Sequence, residues 1–113
     1  MDYTLLNRDS LPHDSSTYDF EGAHYDTEVS FIWVDMKPGE TVRLHSHPYK
    51  EIFIIQEGES TFTLGDETLV AHAGQIIIAP ANIPHKFVNS GTTPLRQIDI
   101  HVAKHIITHW LEG

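Results

Sequence analysis

Hydrophobic residues in this chain recur in short alternating runs, and turn residues interrupt those runs at regular intervals. The run from Val29 to Met36 is rich in β-branched and aromatic side chains and stops at Lys37-Pro38-Gly39-Glu40. Proline presets the first φ of a type II turn there and glycine accepts the positive second one. Further strand-like runs follow: Thr41 to His47, Glu51 to Gln56, Ser60 to Leu64, Glu67 to Ala71, Gln75 to Ala79, His85 to Asn89 and Leu95 to Val102. Turn chemistry fills every gap, including Gly65-Asp66, which reads as a two-residue hairpin loop. About eight short strands with no helical period between them predict an all-β antiparallel sandwich or barrel.

The flanks differ from this middle. Residues 1–28 are polar and irregular and read as an N-terminal arm or edge segment. Residues 29–103 carry the strand runs and form the expected barrel. In residues 104–113, Ile106, Ile107, Trp110 and Leu111 fall on one face of a helical wheel, with Lys104, His105, Thr108 and His109 opposite. A short C-terminal helix capping the sheet is the expectation.

Composition narrows the function classes. The chain has 113 residues, enough for one domain with one core. It has no cysteine, which excludes disulfides, thiolate zinc sites, iron–sulfur clusters and cysteine nucleophiles. Seven Lys+Arg against sixteen Asp+Glu give a net charge of −9, which argues against nucleic acid and anionic membrane surfaces as partners. No apolar run approaches the roughly 20 residues of a membrane helix. The start has no basic, then apolar, leader pattern, so a cytoplasmic location is the default expectation. Nine histidines outnumber the lysines and arginines together, which makes a metal site worth seeking.

His45 and His47 are two residues apart, so on a strand both project to one face, about 6.6 Å apart along it. Pro48-Tyr49-Lys50 permits a reversal, and Glu51 opens the next run, where its carboxylate can face the same point. Neutral imidazole with carboxylate suits a first-row divalent ion. His72, His85 and His101 are candidates for a third imidazole. His85 is favoured because it opens a strand directly after the rigid Pro80-to-Pro84 turn. His13, His24, His72, His105 and His109 read as surface residues.

Residues 39–58 fit the pattern G-x5-H-x-H-x3-E-x6-G at every position, and Gly74, Pro80, His85 and Asn89 fit G-x5-P-x-G-x2-H-x3-N, with Asn82 where the glycine stands. In these two motifs, and in the fifteen residues between them, the chain resembles small single-domain members of the cupin superfamily. The resemblance implies a double-stranded β-helix, or jelly-roll, barrel. It also implies His45, His47, Glu51 and His85 as ligands of one divalent transition metal, with Fe, Mn, Zn, Ni and Cu not distinguished, and a homodimer. Asparagine tolerates the left-handed backbone better than most residues, so the Asn82 turn is expected to form.

Alternation extends the site. Phe53 shares a face with Glu51, and Phe87 with His85, so both are expected on the wall of an apolar pocket for a small molecule. Arg43 shares parity with His45 and reads either as a contact for a substrate carboxylate or phosphate or as a surface residue. Tyr49 reads as a rim residue, a proton donor or a packing residue. In the last strand Ile98, Ile100 and Val102 alternate with Gln97, Asp99 and His101, and the ordinary expectation is apolar inside. If the polar row points inward instead, His101 joins Tyr49 and Arg43 as a catalytic candidate.

The reading this favours is a metal-dependent enzyme acting on a small molecule. Dioxygenase chemistry is preferred, because a His/carboxylate site with open positions is what non-haem iron requires. Isomerase or epimerase and decarboxylase or lyase activities also occur in families the chain resembles. A non-enzymatic binding or sensing module and a metal-free scaffold are the readings outside enzymology.

Overall fold

Each alternating run becomes a strand, and the turn residues set where the chain reverses. The computed structural model describes residues 2–112. Among these the strands are β1 (Thr17–Phe20), β2 (Ser30–Met36), β3 (Thr41–Ser46), β4 (Glu51–Glu57) and β5 (Glu59–Leu64). They continue as β6 (Glu67–His72), β7 (Ile76–Ala79), β8 (His85–Asn89), β9 (Leu95–His101) and β10 (His109–Trp110). All pair antiparallel into two five-stranded sheets, ordered β1-β2-β9-β4-β7 and β10-β3-β8-β5-β6. From β2 onward the chain passes repeatedly from one sheet to the other, which makes the two sheets a jelly-roll barrel. Among the described residues no helix is long and apolar enough to cross a membrane.

The turns hold where their residues permit the required backbone. Gly58 has φ +88°, and a Cβ there would meet the Pro94 carbonyl oxygen at 2.5 Å, so only glycine fits. Asn82 has φ +67°, as expected for an asparagine replacing glycine, and its N–H donates to the His47 carbonyl at 2.7 Å. That bond ties the Pro80-to-Pro84 turn to the strand end carrying His47. Asn89 is buried and works as a clamp: its Nδ2 donates to the carbonyls of Met36 and Thr93, and its Oδ1 accepts from the Gly91 N–H.

Register divides the interior into an apolar and a polar end. Val34, Met36, Phe53, Ile55, Phe62, Phe87 and Leu95 are buried together, with Phe53 and Phe62 edge-to-face at 4.9 Å between centroids. Burying one such side chain stabilises the fold by about 1.5–3 kcal/mol. At the other end Glu51 pairs with His101, and His101 pairs with Ser30, all three buried.

Three expectations are corrected. In β9 the polar residues Gln97, Asp99 and His101 face inward, while Ile98 and Ile100 face outward. Strand β9 sits between β2 and β4, and the register that puts Glu51 inside puts His101 inside with it. Second, the C-terminal segment is not a helix. Residues 104–108 run irregularly into β10, which pairs with the edge of β3 through His109↔Ser46 and Trp110↔His45. A helix of nine or so residues is marginal by itself, whereas the open edge of β3 offers partners: the Leu44 carbonyl accepts from Leu111 N–H, and Glu112 Oε1 accepts from Leu44 N–H. Third, strict alternation fails in β3. A register shift between Val42 and His45 inserts one residue, and Arg43 is exposed where His45 is buried, although both border one cavity.

The N-terminal segment contributes structure of its own. Short 3-10 turns at Arg8–Ser10 and Gly22–Tyr25 flank β1, which extends the first sheet beyond β2.

Candidate metal site and cavity

Four side chains meet at the polar end of the barrel. His45 and His47 come from β3 and the turn after it, Glu51 from the start of β4 and His85 from the start of β8. All four are buried, and each offers a ligand atom within 4.8 Å of the others. Bonds of about 2.1 Å from imidazole nitrogen to a central cation need a span of this size.

The hydrogen bonds fix which nitrogen is offered. His45 Nδ1 bonds the Arg43 carbonyl at 2.6 Å, His47 Nδ1 the Ile107 carbonyl at 2.7 Å and His85 Nδ1 the Ile83 carbonyl at 2.9 Å. A carbonyl only accepts, so each Nδ1 carries the proton and each neutral ring offers its Nε2 lone pair. His47 Nε2 is buried with no hydrogen-bond partner, an arrangement that costs free energy unless something binds there. Glu51 Oε1 lies 3.1 Å from His47 Nε2 and 3.0 Å from His85 Nε2. The donor set therefore fits a divalent cation.

The electrostatics follow from burial and these contacts. Burial pushes His45 down to about 4, helped by His85 and His47 and opposed by its bond to Arg43 and by Glu51. For Glu51, burial favours the neutral acid, but contacts with His101, His47 and His85 outweigh it and hold the carboxyl well below its usual range. Burial lowers His85, but Glu51 more than reverses this and leaves it raised.

A fifth polar residue completes the cluster. His101 Nε2 lies 3.2 Å from Glu51 Oε2, and its Nδ1 is 2.6 Å from the Tyr49 hydroxyl. Tyr49 accepts from the Ile107 N–H at 3.0 Å and spends its one proton on His101 Nδ1, since its other acceptor, the Ile107 carbonyl, is 3.4 Å away. Burial first, then Glu51 and Glu21, push the Tyr49 phenol up to about 12 against its contact with Ile107, so it stays protonated. His101 Nε2, also without a hydrogen-bond partner, faces the same space as the ligand atoms.

That space is a cavity of about 400 Å³. His45, His47, Glu51 and His101 border it at the metal end. Strand β1 contributes Thr17 and Asp19, β9 contributes Asp99, and the C-terminal segment contributes Ile106, Thr108 and Trp110. Burial and then repulsion by Glu51 hold the Asp99 carboxyl well above its usual range, against a hydrogen bond from Gln97. Arg43 is exposed at the edge of the cavity with Cζ 5.1 Å from the Trp110 ring centroid. Phe87 borders the cavity, whereas Phe53, expected beside it, lies in the apolar core with its ring 5.7 Å from that of His85. His13, His24, His72, His105 and His109 are exposed.

Asp19 and Trp110 on the cavity wall were not anticipated from the sequence. Thr17-Tyr18-Asp19-Phe20 does alternate, and that period of two was the available signal for β1 and its inward row.

Comparisons with known proteins agree with this geometry. The chain matches Polyketide synthase CurC of Streptomyces cyaneus at 36% identity over 64 residues, 56% of this chain and 42% of that protein. It matches Mannose-1-phosphate guanylyltransferase 2 of Escherichia coli O157:H7 at 33% identity over 66 residues, 58% of this chain and 14% of that protein. The matched stretch is thus less than half of either relative. In three dimensions it is similar to a Bacillus subtilis oxalate decarboxylase whose Mn(II) centres have been studied, with TM-score 0.82 at 21% identity, covering 91% of this chain and 30% of that one. A second structure of that enzyme, at pH 4.6, gives TM-score 0.79 at 21% identity over 88% of this chain and 28% of that one. Residues 32–101 match the model of the Cupin domain, and on that match, with the jelly-roll barrel and its buried histidine cluster, the chain belongs to the cupin family.

Proposed function

We propose that the protein holds one divalent metal ion through His45, His47, Glu51 and His85 and uses it to bind a small organic substrate on which protons are moved. The observation that carries this is three Nε2 lone pairs and Glu51 Oε1 gathered within 4.8 Å at one end of the cavity. Bound there, the ion would polarise a substrate oxygen and make neighbouring protons more acidic.

His101 supplies the acid–base group. Its Nε2 faces the cavity while the Tyr49 hydroxyl donates to its Nδ1, a bond that keeps the ring proton on Nε2, where it can be exchanged with a substrate. Asp99 adds a buried carboxyl nearby whose raised pKa keeps it a hydrogen-bond donor. These groups support isomerase- or lyase-type chemistry. Dioxygenation, which the ligand types alone favoured, has no support among the relatives, and the structural neighbours described above are a decarboxylase.

Two experiments test the reading. Elemental analysis of the purified protein gives about one metal ion per chain, and the His45→Ala/His47→Ala variant gives none; equal, near-zero contents would refute the metal site. With dihydroxyacetone in D2O as probe, the metal-loaded protein washes deuterium into the carbon-bound positions and His101→Gln does not. Oxygen consumption with catechol, in the absence of any deuterium wash-in, would return the reading to dioxygenation.

We also infer that two copies pair through the outer face of the β1-β2-β9-β4-β7 sheet. Register lines up two apolar rows there: Ile78, Ile52, Ile100, Phe31 and Phe20, and Ile76, Ile54, Ile98, Trp33 and Tyr18. Five strands at about 4.8 Å spacing make this face about 24 Å wide, an area on the order of a few hundred Å², where apolar patches mark interfaces. Ile76 and Ile78 are 63% and 61% exposed. Arg8, over the Tyr18 and Trp33 rings, pairs with Asp35, which also lies near Arg96, so the charges at the β1-β2 side of this face offset one another.

A further inference from the structure

We infer that the cavity selects an uncharged, hydroxyl-bearing ligand and rejects small carboxylates, and that Asp19 on β1 is the residue that discriminates. This rests on the metal reading above and names the ligand class for that same site.

The cavity wall opposite the imidazoles is acidic. Asp14, Asp19 and Asp99 border it, whereas Arg43 is the one Lys or Arg among its described lining residues and lies exposed, over the Trp110 ring. The acids differ in what they have left to offer. Asp14 Oδ1 is taken up by the N–H groups of Ser16 and Thr17 and by the Thr17 hydroxyl. Asp99 Oδ1 accepts from Gln97. Asp19, half-buried, has no side-chain hydrogen bond among the described residues, so its carboxylate still needs donors. His101, a residue with no exposed surface whose Nε2 lies 3.2 Å from Glu51 Oε2, borders the same space.

Charge decides the class. A second carboxylate brought into this space shares it with Asp19, whose half-burial leaves like-charge repulsion less screened than at the surface. A cationic group would instead face a bound metal ion at the end where the substrate oxygens must sit. A neutral molecule with hydroxyl groups avoids both penalties. Its oxygens suit the metal end and its O–H groups satisfy Asp19. Asp19, Thr17, Ile106, Thr108 and Trp110 all lie outside residues 32–101, the stretch matched to the family, so this wall belongs to the chain's own flanks.

Catechol and oxalate separate charge from chelation, because each presents two adjacent oxygens and at pH 7 one is neutral and the other a dianion. Titration calorimetry of each into the metal-loaded protein, with metal content measured in every sample, gives the two Kd values for wild type, Asp19→Asn and Asp19→Ser. The inference predicts that both variants bind oxalate more tightly and catechol more weakly, shifting the ratio of the two Kd values at least tenfold toward oxalate. A ratio within twofold of wild type in both variants, at equal metal content, overturns it. A wild-type chain that takes up no metal overturns the metal reading instead, and the two failures are told apart by the elemental analysis.

Discussion

At His47 one ring is held from two sides: Ile107 accepts from its Nδ1, and Tyr49 stacks on it at 5.2 Å while bonding both His101 and Ile107. Removing the Tyr49 hydroxyl leaves His101 Nδ1 without its donor and loosens the carbonyl that orients His47. Groups that orient metal ligands in this way are worth roughly 10–100-fold in affinity. Tyr49→Phe is therefore expected to weaken metal binding about tenfold or more in competition with a fluorescent chelator, with an unchanged circular dichroism spectrum. Asp99 makes a different kind of prediction. Unfolded, it loses its proton near pH 4 (about 3.9); folded, burial and Glu51 keep the proton on to higher pH. Over that interval the native state binds the extra proton, so stability falls as pH rises. Asp99→Asn lacks this slope, so in metal-free protein its urea midpoint gains on wild type between about pH 4.5 and pH 7.5. A constant difference across that range would show that Asp99 is not held protonated.

At the scale of elements, the C-terminal segment is where reading the sequence and folding the chain diverge. Ile106, Ile107, Trp110 and Leu111 make a plausible helical stripe, yet β3 needs an edge partner and His47 needs an acceptor, and one extended segment meets both needs. Helical periodicity is a local property, whereas the open edge of β3 exists only once the barrel has closed. A chain ending at Ala103 is thus expected to bind metal roughly 10–100-fold more weakly and to exchange the amides of residues 41–46 faster in deuterium. Retained affinity would mean that Ile107 does not position His47. Strand β9 has the same lesson in another form. Alternation along Leu95–His101 was plain, but which row faces inward was set by its neighbours β2 and β4, not by hydropathy. By contrast, the turns at Gly58 and Asn82 were legible because their backbone demands are local. The four candidate ligands stood out because their spacing is a property of two short hairpins, whereas the bulge that leaves Arg43 exposed and His45 buried is invisible to a parity count.

On the scale of the whole molecule, β9 carries isoleucines outside and mostly polar groups inside. That arrangement makes sense for a chain with a polar site to enclose and an apolar face to cover. Ile78→Glu, which plants a charge on the exposed β7 edge of that face without touching the cavity, is expected to convert a dimer to a monomer by native mass spectrometry while metal content stays at about one ion per chain. Persistence of the dimer would place the contact elsewhere. The proposed chemistry and the ligand selection at the cavity both presuppose that four side chains hold a cation. Diffraction data collected at the absorption edge of the metal found by elemental analysis test this most directly. The account predicts a single anomalous peak about 2.0–2.2 Å from the Nε2 atoms of His45, His47 and His85 and from a Glu51 oxygen; a metal peak elsewhere, or imidazoles turned away from it, would contradict it.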